Sequence, residues 1–314
     1  MSSASVMDHL HNGLRDLLQV FSANDLICDY DLKDCNTMGI SCHAQFFLQP
    51  SSVEAFSYLQ TLRAKWDFPV FVIGAGSNVL FKNDALPGCV VSTAGIHSAT
   101  WIRRSDGYDV IAQAGYPVKT LVREMISRNL GGAEFLVGIP GSVGGAIMGN
   151  AGAQGRGIGD IVTWVEVVET TGERTVYQRE SISWGYRYSS LGSDRKIVVL
   201  SCLHLPFLNV HDAARMNCMS YWKHRLNQPC LGERSAGCIF KNPEGESAGR
   251  LLDIFGCKGM RHGDAYISQK HANFIINRGK ATFYDVIFLI DKCKQIVKHN
   301  ANIDLDLEVK FLGV

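Results

Sequence analysis

GGAEFLVGIPGSVGGAIMGNAGAQG, residues 131–155, is the stretch on which the reading of this chain turns. From Phe135 to Gly155 there is no charged residue over 21 positions, but there are seven glycines and one proline. A membrane-spanning helix needs a far more apolar run, so the composition predicts a segment of loops and turns. Glycine in this density is costly in backbone entropy. It makes sense where another group must approach the main chain closely. A pyrophosphate wants convergent N–H donors, and an isoalloxazine ring wants a flat apolar wall with a few polar contacts. The plain alternative is a tightly packed glycine-rich loop.

A second glycine-rich segment lies upstream. PVFVIGAG reads as a buried strand ending in Gly74-Ala75-Gly76-Ser77-Asn78. Tight turns and exposed amide N–H groups there suit a phosphate. The segment lacks the GxGxxG spacing of a dinucleotide fold and the GxxxxGK[ST] of a P-loop. Taken alone it equally fits an ordinary strand-end turn.

Around these two segments the pattern is mixed. Helical spacing predicts a helix over residues 5–22, through Leu10, Leu14, Leu17 and Leu18. A strand is expected at 45–49, a helix capped by Ser52 to about Ala64, and strands at 88–92 and 109–113. A helix near Lys119–Arg128 follows. IVTWVEVVET and ERTVYQ alternate with period two around Thr171–Gly172, which predicts a hairpin. Further expectations are a strand in KIVVLSCLHL, helices at Asp212–Leu226, Ala248–Phe255 and Ala281–His299, and a terminal strand Leu305–Leu312. Domain boundaries fall near residues 93 and 208.

The bulk numbers narrow the class. The 314 residues suffice for two or three domains, with 46% hydrophobic and 19% charged residues and a net charge of +1. No long run of one sign is present, which argues against a general nucleic-acid binder. The ten cysteines include no CxxC pair, and the polar N-terminus lacks the apolar core of a secretory signal. Free thiols in a reducing cytoplasm are expected, with no disulfide and no metal.

Three segments carry reactive groups. Trp184-Gly-Tyr-Arg-Tyr-Ser-Ser190 sets Arg187 among aromatics, either as a structural stacking partner or as a bidentate clamp for a carboxylate. Arg234-Ser-Ala-Gly-Cys-Ile-Phe-Lys-Asn-Pro243 places Cys238 after a glycine, either as a small core residue or as an acid or nucleophile. The terminal strand puts Asp306, Glu308 and Lys310 on one face, either solvated or with Glu308 aimed into a cleft.

In this order, these segments resemble the UDP-N-acetylenolpyruvoylglucosamine reductase family. The matching stretches are Asn36-Thr-Met-Gly39, VIGAGSNVL (72–80), residues 131–155, GYRYSS (185–190), Gln228-Pro229, RSAGCIFKNP (234–243), AGRLLD (248–253), ISQKHANFIIN (267–277) and DLEVKFLG (306–313). They span nearly the whole chain beyond the first 20 or so residues. The compact stretch from GYRYSS to KNP is closer to the short-loop class.

The resemblance implies an α+β and α/β fold: a vanillyl-alcohol-oxidase-like FAD domain in two parts, residues 1–93 and 94–208, and an α+β substrate domain over 209–304. Residues 305–314 would return to the flavin and substrate cleft. It implies non-covalent FAD reduced by NADPH, and UDP-N-acetylglucosamine enolpyruvate as substrate. Hydride passes from flavin N5 to the enolpyruvyl C3, and a proton to C2, giving UDP-N-acetylmuramate for peptidoglycan. The enzyme is expected to be a cytoplasmic monomer.

By the same resemblance, Arg187 stabilises the enolate-like carboxylate formed on hydride addition. Glu308, carrying or sharing a proton, assists through a hydrogen bond; like charge and burial both favour that state. Cys238 delivers the C2 proton, where many members carry serine; a thiol is the stronger acid. FAD falls to Gly74, Ala75, Gly76, Ser77, Asn78, Gly138, Ser142, Gly145, Asn150 and Gly152, with His271 and Asn273 nearby. Tyr186, Arg225, Lys241 and Asn242 are candidates for the UDP sugar. Gly149 stands where methionine is common.

Two other readings compete. An alcohol oxidase of the same fold would often attach its flavin through a histidine near the first phosphate loop, but none lies between His43 and His97. A flavin-binding module without activity would need Arg187, Cys238 or Glu308 displaced.

Overall fold

The computed structural model describes residues 16–17, 21, 25–82, 85–192, 195–226 and 232–313. The helix expected over 5–22 and the Gln228–Pro229 step lie outside them, although Leu17 and Phe21 are described and buried. The chain forms two compact units that interleave in sequence. The first gathers residues up to Tyr30, Gln45–Ala75 and Pro87–Trp222. The second gathers Asp31–Ala44, Gly76–Leu86 and the residues from Lys223 on. The boundaries expected near 93 and 208 do not anticipate those two short excursions. Each unit has its own apolar core.

In the first unit a four-stranded sheet runs in the order Leu26–Asp31, His43–Leu48, Ala85–Ser92, Val70–Ile73, with the last two parallel. The helix Val53–Trp66 is capped by Ser52, whose Oγ accepts from Ala55 N at 3.4 Å. It ends on Asp67 at φ 47°, a left-handed cap.

A five-stranded antiparallel sheet follows, ordered Arg174–Gln178, Val162–Val168, Ile197–Pro206, Gly107–Gln113, Ala99–Arg103. The expected hairpin is present, closed by Glu169 N donating to Glu173 O at 2.8 Å. Its turn puts Gly172 at φ 93°. The edge strand Ala99–Arg103 was not expected. It pairs on one side only and buries none of its side chains fully.

The glycine-rich segment departs from expectation in one respect. Within it, Val143–Met148 is a short helix. Ser142 caps it, its Oγ accepting from Gly145 N at 3.4 Å. Val143, Ala146 and Ile147 are buried at helical spacing, so three apolar contacts outweigh the poor propensity of Gly144 and Gly145.

The second unit is built on the long helix Phe283–Ala301. Thr282 and Asp285 form a capping box at its start, and Asn302 at φ 55° ends it. Val286, Leu289, Ile290, Cys293 and Val297 form its buried face. Against it packs an antiparallel sheet of Arg261–His262, Ala265–Ile267 and Ile275–Asn277.

The terminal strand is shorter than expected. Only Lys310–Leu312 forms a ladder, parallel to Val79–Phe81. Just before it, Leu307 makes a single bridge to Phe240, and the Asp306 carbonyl and Glu308 N–H bond to residues 239–241. Among the described residues, no helix is long and apolar enough to cross a membrane.

Candidate active site

The first unit brings the glycine-rich segments together. A Cβ on Gly74 would lie 2.5 Å from Ser142 Oγ, so the strand end and the helix cap touch only because residue 74 has no side chain. Val143 N donates to Tyr116 O at 2.9 Å and Gly144 N to Ala114 O at 2.8 Å. Gly138 turns the chain at φ 71° upstream.

Downstream, the segment is stitched to the hairpin of Trp184–Gly185 with Tyr188–Ser189. Ser189 Oγ donates to Met148 O at 3.2 Å, Asn150 Nδ2 to Gly185 O at 2.9 Å, and Arg187 Nη1 to Gly152 O at 3.0 Å. Gly152 itself pairs with Gly157 in a tiny hairpin, and a side chain on it would collide with the Arg156 carbonyl.

Arg187 occupies the second position of the two-residue hairpin turn at φ 55°. Glycine or asparagine usually fills such a position. An arginine held there against its preference is a reason to look for function. Its guanidinium lies 5.4 Å from the ring centroid of Tyr186, which is 56% exposed. The cation is therefore held over an aromatic face that solvent reaches.

The second unit carries the rest. Here Gly76, Ser77 and Asn78 part company with Gly74 and Ala75, since the division between units falls between Ala75 and Gly76. Gly76 is at φ 63°, and a side chain there would collide with the Cys35 carbonyl. Thr37 N donates to Gly76 O at 3.1 Å, while Thr37 Oγ1 donates to Ser235 O at 2.6 Å. One threonine thus ties the GAGSN loop to the segment that bears Cys238. Asn36 locks the same turn, its Nδ2 donating to Leu32 O and Ile40 O, each at 2.9 Å.

Cys238 is half-buried and bridges Phe274 across a single ladder step. Gly237 beside it, at φ 80°, has nothing within 4 Å of where a Cβ would stand. The backbone just before Cys238 therefore borders open space. Residues 239–241 run between two neighbours. On one side Ile239 N donates to Asn273 O at 2.9 Å, and the Asn273 side chain pairs with both backbone groups of Phe240. On the other, Glu308 N donates to Ile239 O at 2.8 Å and Lys241 N to Asp306 O at 2.9 Å. Cys238 and Glu308 are thereby fixed on adjacent strands.

Other candidates take supporting positions. Asn273 is buried and its amide is taken up by Phe240, so any part it plays in binding is indirect. His271 packs on Gly249 and edge-on to Phe274, and its Nδ1 accepts from Asn273 N at 3.2 Å. Burial holds its pKa below the usual value. Asn242 Oδ1 accepts from Ala248 N at 3.1 Å, at the start of the helix Ala248–Ile254. Arg225 lies half-buried in the last turn of the helix Ala213–Leu226.

Sequence reasoning passed over Thr37, Ser189 and, as a site residue, Lys310. The pKa of Lys310 is lowered, by burial first and then by the charge of Lys241.

Comparison with known proteins follows the same lines. Residues 228–312 match the UDP-N-acetylenolpyruvoylglucosamine reductase C-terminal domain, and residues 44–177 match the FAD binding domain family. A UDP-N-acetylenolpyruvoylglucosamine reductase of Geobacillus kaustophilus is 33% identical over 98% of this chain and 99% of its own length. The chain belongs to the UDP-N-acetylenolpyruvoylglucosamine reductase family. A relative of the same name from Moorella thermoacetica is 36% identical, covering 86% of this chain and 87% of its own.

Among solved structures, the UDP-N-acetylenolpyruvylglucosamine reductase of Thermus caldophilus aligns with a TM-score of 0.75 and 33% identity, over 91% of this chain and 98% of that one. A glucose dehydrogenase, Phl p 4.0202, shares the fold alone, with a TM-score of 0.50 and 15% identity over 64% of this chain and 44% of its own. The vanillyl-alcohol-oxidase-like fold expected of this family is therefore the fold of the chain, and FAD is its cofactor.

The residues fit that group. Gly145 is exposed within its helix, and a Cβ there would meet only Ser142 Oγ, at 3.5 Å. At Gly149 it would meet only Gly145 O, at 3.7 Å. The chain's own packing demands glycine at neither position, whereas a flat ring laid against the helix does.

Proposed function

We propose that this chain reduces UDP-N-acetylglucosamine enolpyruvate to UDP-N-acetylmuramate for peptidoglycan synthesis, with NADPH as electron source. The observation that carries the reading is the near full-length relation to reductases of that name; Arg187, Cys238 and Glu308 stand in the stretches that carry the resemblance. FAD, when bound, supplies the hydride that the enolpyruvyl C3 accepts.

The chain's own residues handle charge and protons. Arg187 grips the enolpyruvyl carboxylate and stabilises the negative charge that builds there. Its tether to the Gly152 carbonyl fixes the guanidinium in advance, so little reorganisation is needed. Glu308 keeps its carboxyl protonated or shares a proton, and donates to the same carboxylate. Cys238 gives its Sγ proton to C2. Tyr186, Arg225, Lys241 and Asn242 hold the UDP sugar, with lysine and arginine suited to its pyrophosphate. Gly74 to Asn78, Gly138, Ser142, Gly145 and Gly152 line the FAD site, supported by His271 and Asn273. The protein acts in the cytoplasm as a monomer.

The test is direct. FAD-loaded protein should oxidise NADPH only when the enolpyruvyl nucleotide sugar is present. A flavin-loaded sample showing no such substrate-dependent oxidation sinks the reading.

A further inference from the structure

We infer that Asn150 is a positioning residue for Arg187. Its side-chain amide seats the Trp184–Ser189 hairpin on the glycine-rich segment and so aims the guanidinium. The inference rests on the reading that Arg187 grips a carboxylate, and it assigns Asn150 a task other than contact with FAD.

The hairpin has only two paired positions, Trp184 with Ser189 and Gly185 with Tyr188. A ribbon so short has almost no stability of its own. Its place depends on tethers, three of which reach alternate residues of the segment, Met148, Asn150 and Gly152, while Trp184 Nε1 also donates to Arg179 O at 3.3 Å. In the bonds to Met148 and Gly152, the hairpin's own side chains reach out to backbone carbonyls. Of these three bonds, the one from Asn150 runs the other way, from a side chain of the segment to the hairpin.

Asn150 also joins a third stretch. Nδ2 donates to Gly185 O at 2.9 Å while Oδ1 accepts from Gly159 N at 3.0 Å. One partner is an acceptor and the other a donor, so the amide has a single workable orientation. The surroundings are shaped to it. Gly157 has no Cβ, and one would stand 2.5 Å from Asn150 Oδ1. Asn150 itself sits at φ 42°, a left-handed conformation that asparagine tolerates better than most residues. Gly185 is two residues before Arg187, on the same turn. A shift at this bond moves the base of the guanidinium.

The test uses the holoenzyme and two nucleotide sugars that differ in a carboxylate: UDP-N-acetylmuramate, which carries one, and UDP-N-acetylglucosamine, which does not. Asn150→Asp keeps the acceptor for Gly159 and the tolerance of left-handed backbone, but turns an oxygen against the Gly185 carbonyl. By titration calorimetry the wild type should prefer the carboxylate-bearing ligand. Asn150→Asp should narrow that preference by about tenfold, the weight of one weakened charge-assisted hydrogen bond, with FAD content unchanged. In an Arg187→Lys background the same change should narrow it no further, because the two act as one unit.

Asn150→Gly, which keeps the backbone angle and removes both bonds without adding charge, should repeat the result. The inference is overturned by a preserved preference, by additive losses, by loss of FAD in place of preference, or by failure of both variants to fold. A wild type without any preference overturns the reading of Arg187 itself, and the inference with it.

Discussion

Asn78 grips the backbone on both sides of Val309. Its Nδ2 donates to the Glu308 carbonyl at 3.1 Å, and its own carbonyl accepts from Lys310 N at 3.0 Å. The backbone that carries Glu308 is thus held by a residue 230 positions earlier in the chain. Asn78→Ala should cost about 0.5–1.5 kcal/mol of stability, since it strips one side-chain hydrogen bond. Turnover should fall further than FAD content, which urea unfolding, flavin absorbance and kcat measured on one preparation will separate.

If Cys238 is the C2 proton donor, as proposed, another group of similar reach should be able to take its place. Cys238→Ser should retain measurable turnover, whereas Cys238→Ala should lower it by about 10²–10⁴-fold, the usual range for losing a positioned acid. Both variants should still have their FAD reduced by NADPH in stopped flow. Equal loss of both half-reactions in Cys238→Ala argues against the role. Cys238, half-buried and one residue from the open space at Gly237, should be alkylated by iodoacetamide with loss of turnover, and Cys238→Ser should abolish that sensitivity.

Gly145 and Gly74 should respond in opposite ways. With open space around it, Gly145→Ala should stabilise the FAD-free chain by about 0.5–1 kcal/mol through helix propensity. It should also weaken FAD binding, measured by fluorescence titration. Gly74→Ala forces a methyl against Ser142 Oγ and should destabilise the FAD-free chain, with partial relief in combination with Ser142→Gly.

His271 gives the fold a pH dependence. Burial lowers its pKa in the folded chain below the unfolded value of 6.5. The unfolded state therefore takes up the proton first as pH falls. Stability from this residue is full above pH 6.5 and is lost as the pH drops from there through the folded pKa. The urea midpoint should fall over that window in the wild type, and less so in His271→Gln. Identical slopes in the two proteins would remove His271 as the cause.

Regular elements were legible where periodicity and a cap agreed. Ser52 announced its helix, Thr171–Gly172 its hairpin, and the helix expected at Ala281–His299 is found at Phe283–Ala301. The Val143–Met148 helix stayed hidden because glycine density argues for loop. What decided it was burial of Val143, Ala146 and Ile147, which composition does not display. Site residues were legible as motifs in order, but the use of their side chains was not. Asn78, Asn150 and Asn273 all carry groups suited to a ligand, yet each bonds backbone groups far away in sequence. Such pairings depend on tertiary approach and leave no local pattern.

The interleaving of the two units bears on how the protein is made. Met38, Ile40 and Leu80 belong to a core whose other members run from Ala236 to Val309. On the ribosome these three side chains emerge early and wait, without their partners, for nearly the rest of the chain to be synthesised. The first unit has most of its own strands in hand by Pro206 and can close sooner. The stretches around Met38 and Leu80 are therefore the ones most in need of a chaperone, and cutting the gene at a point between the units would strand them on the wrong fragment.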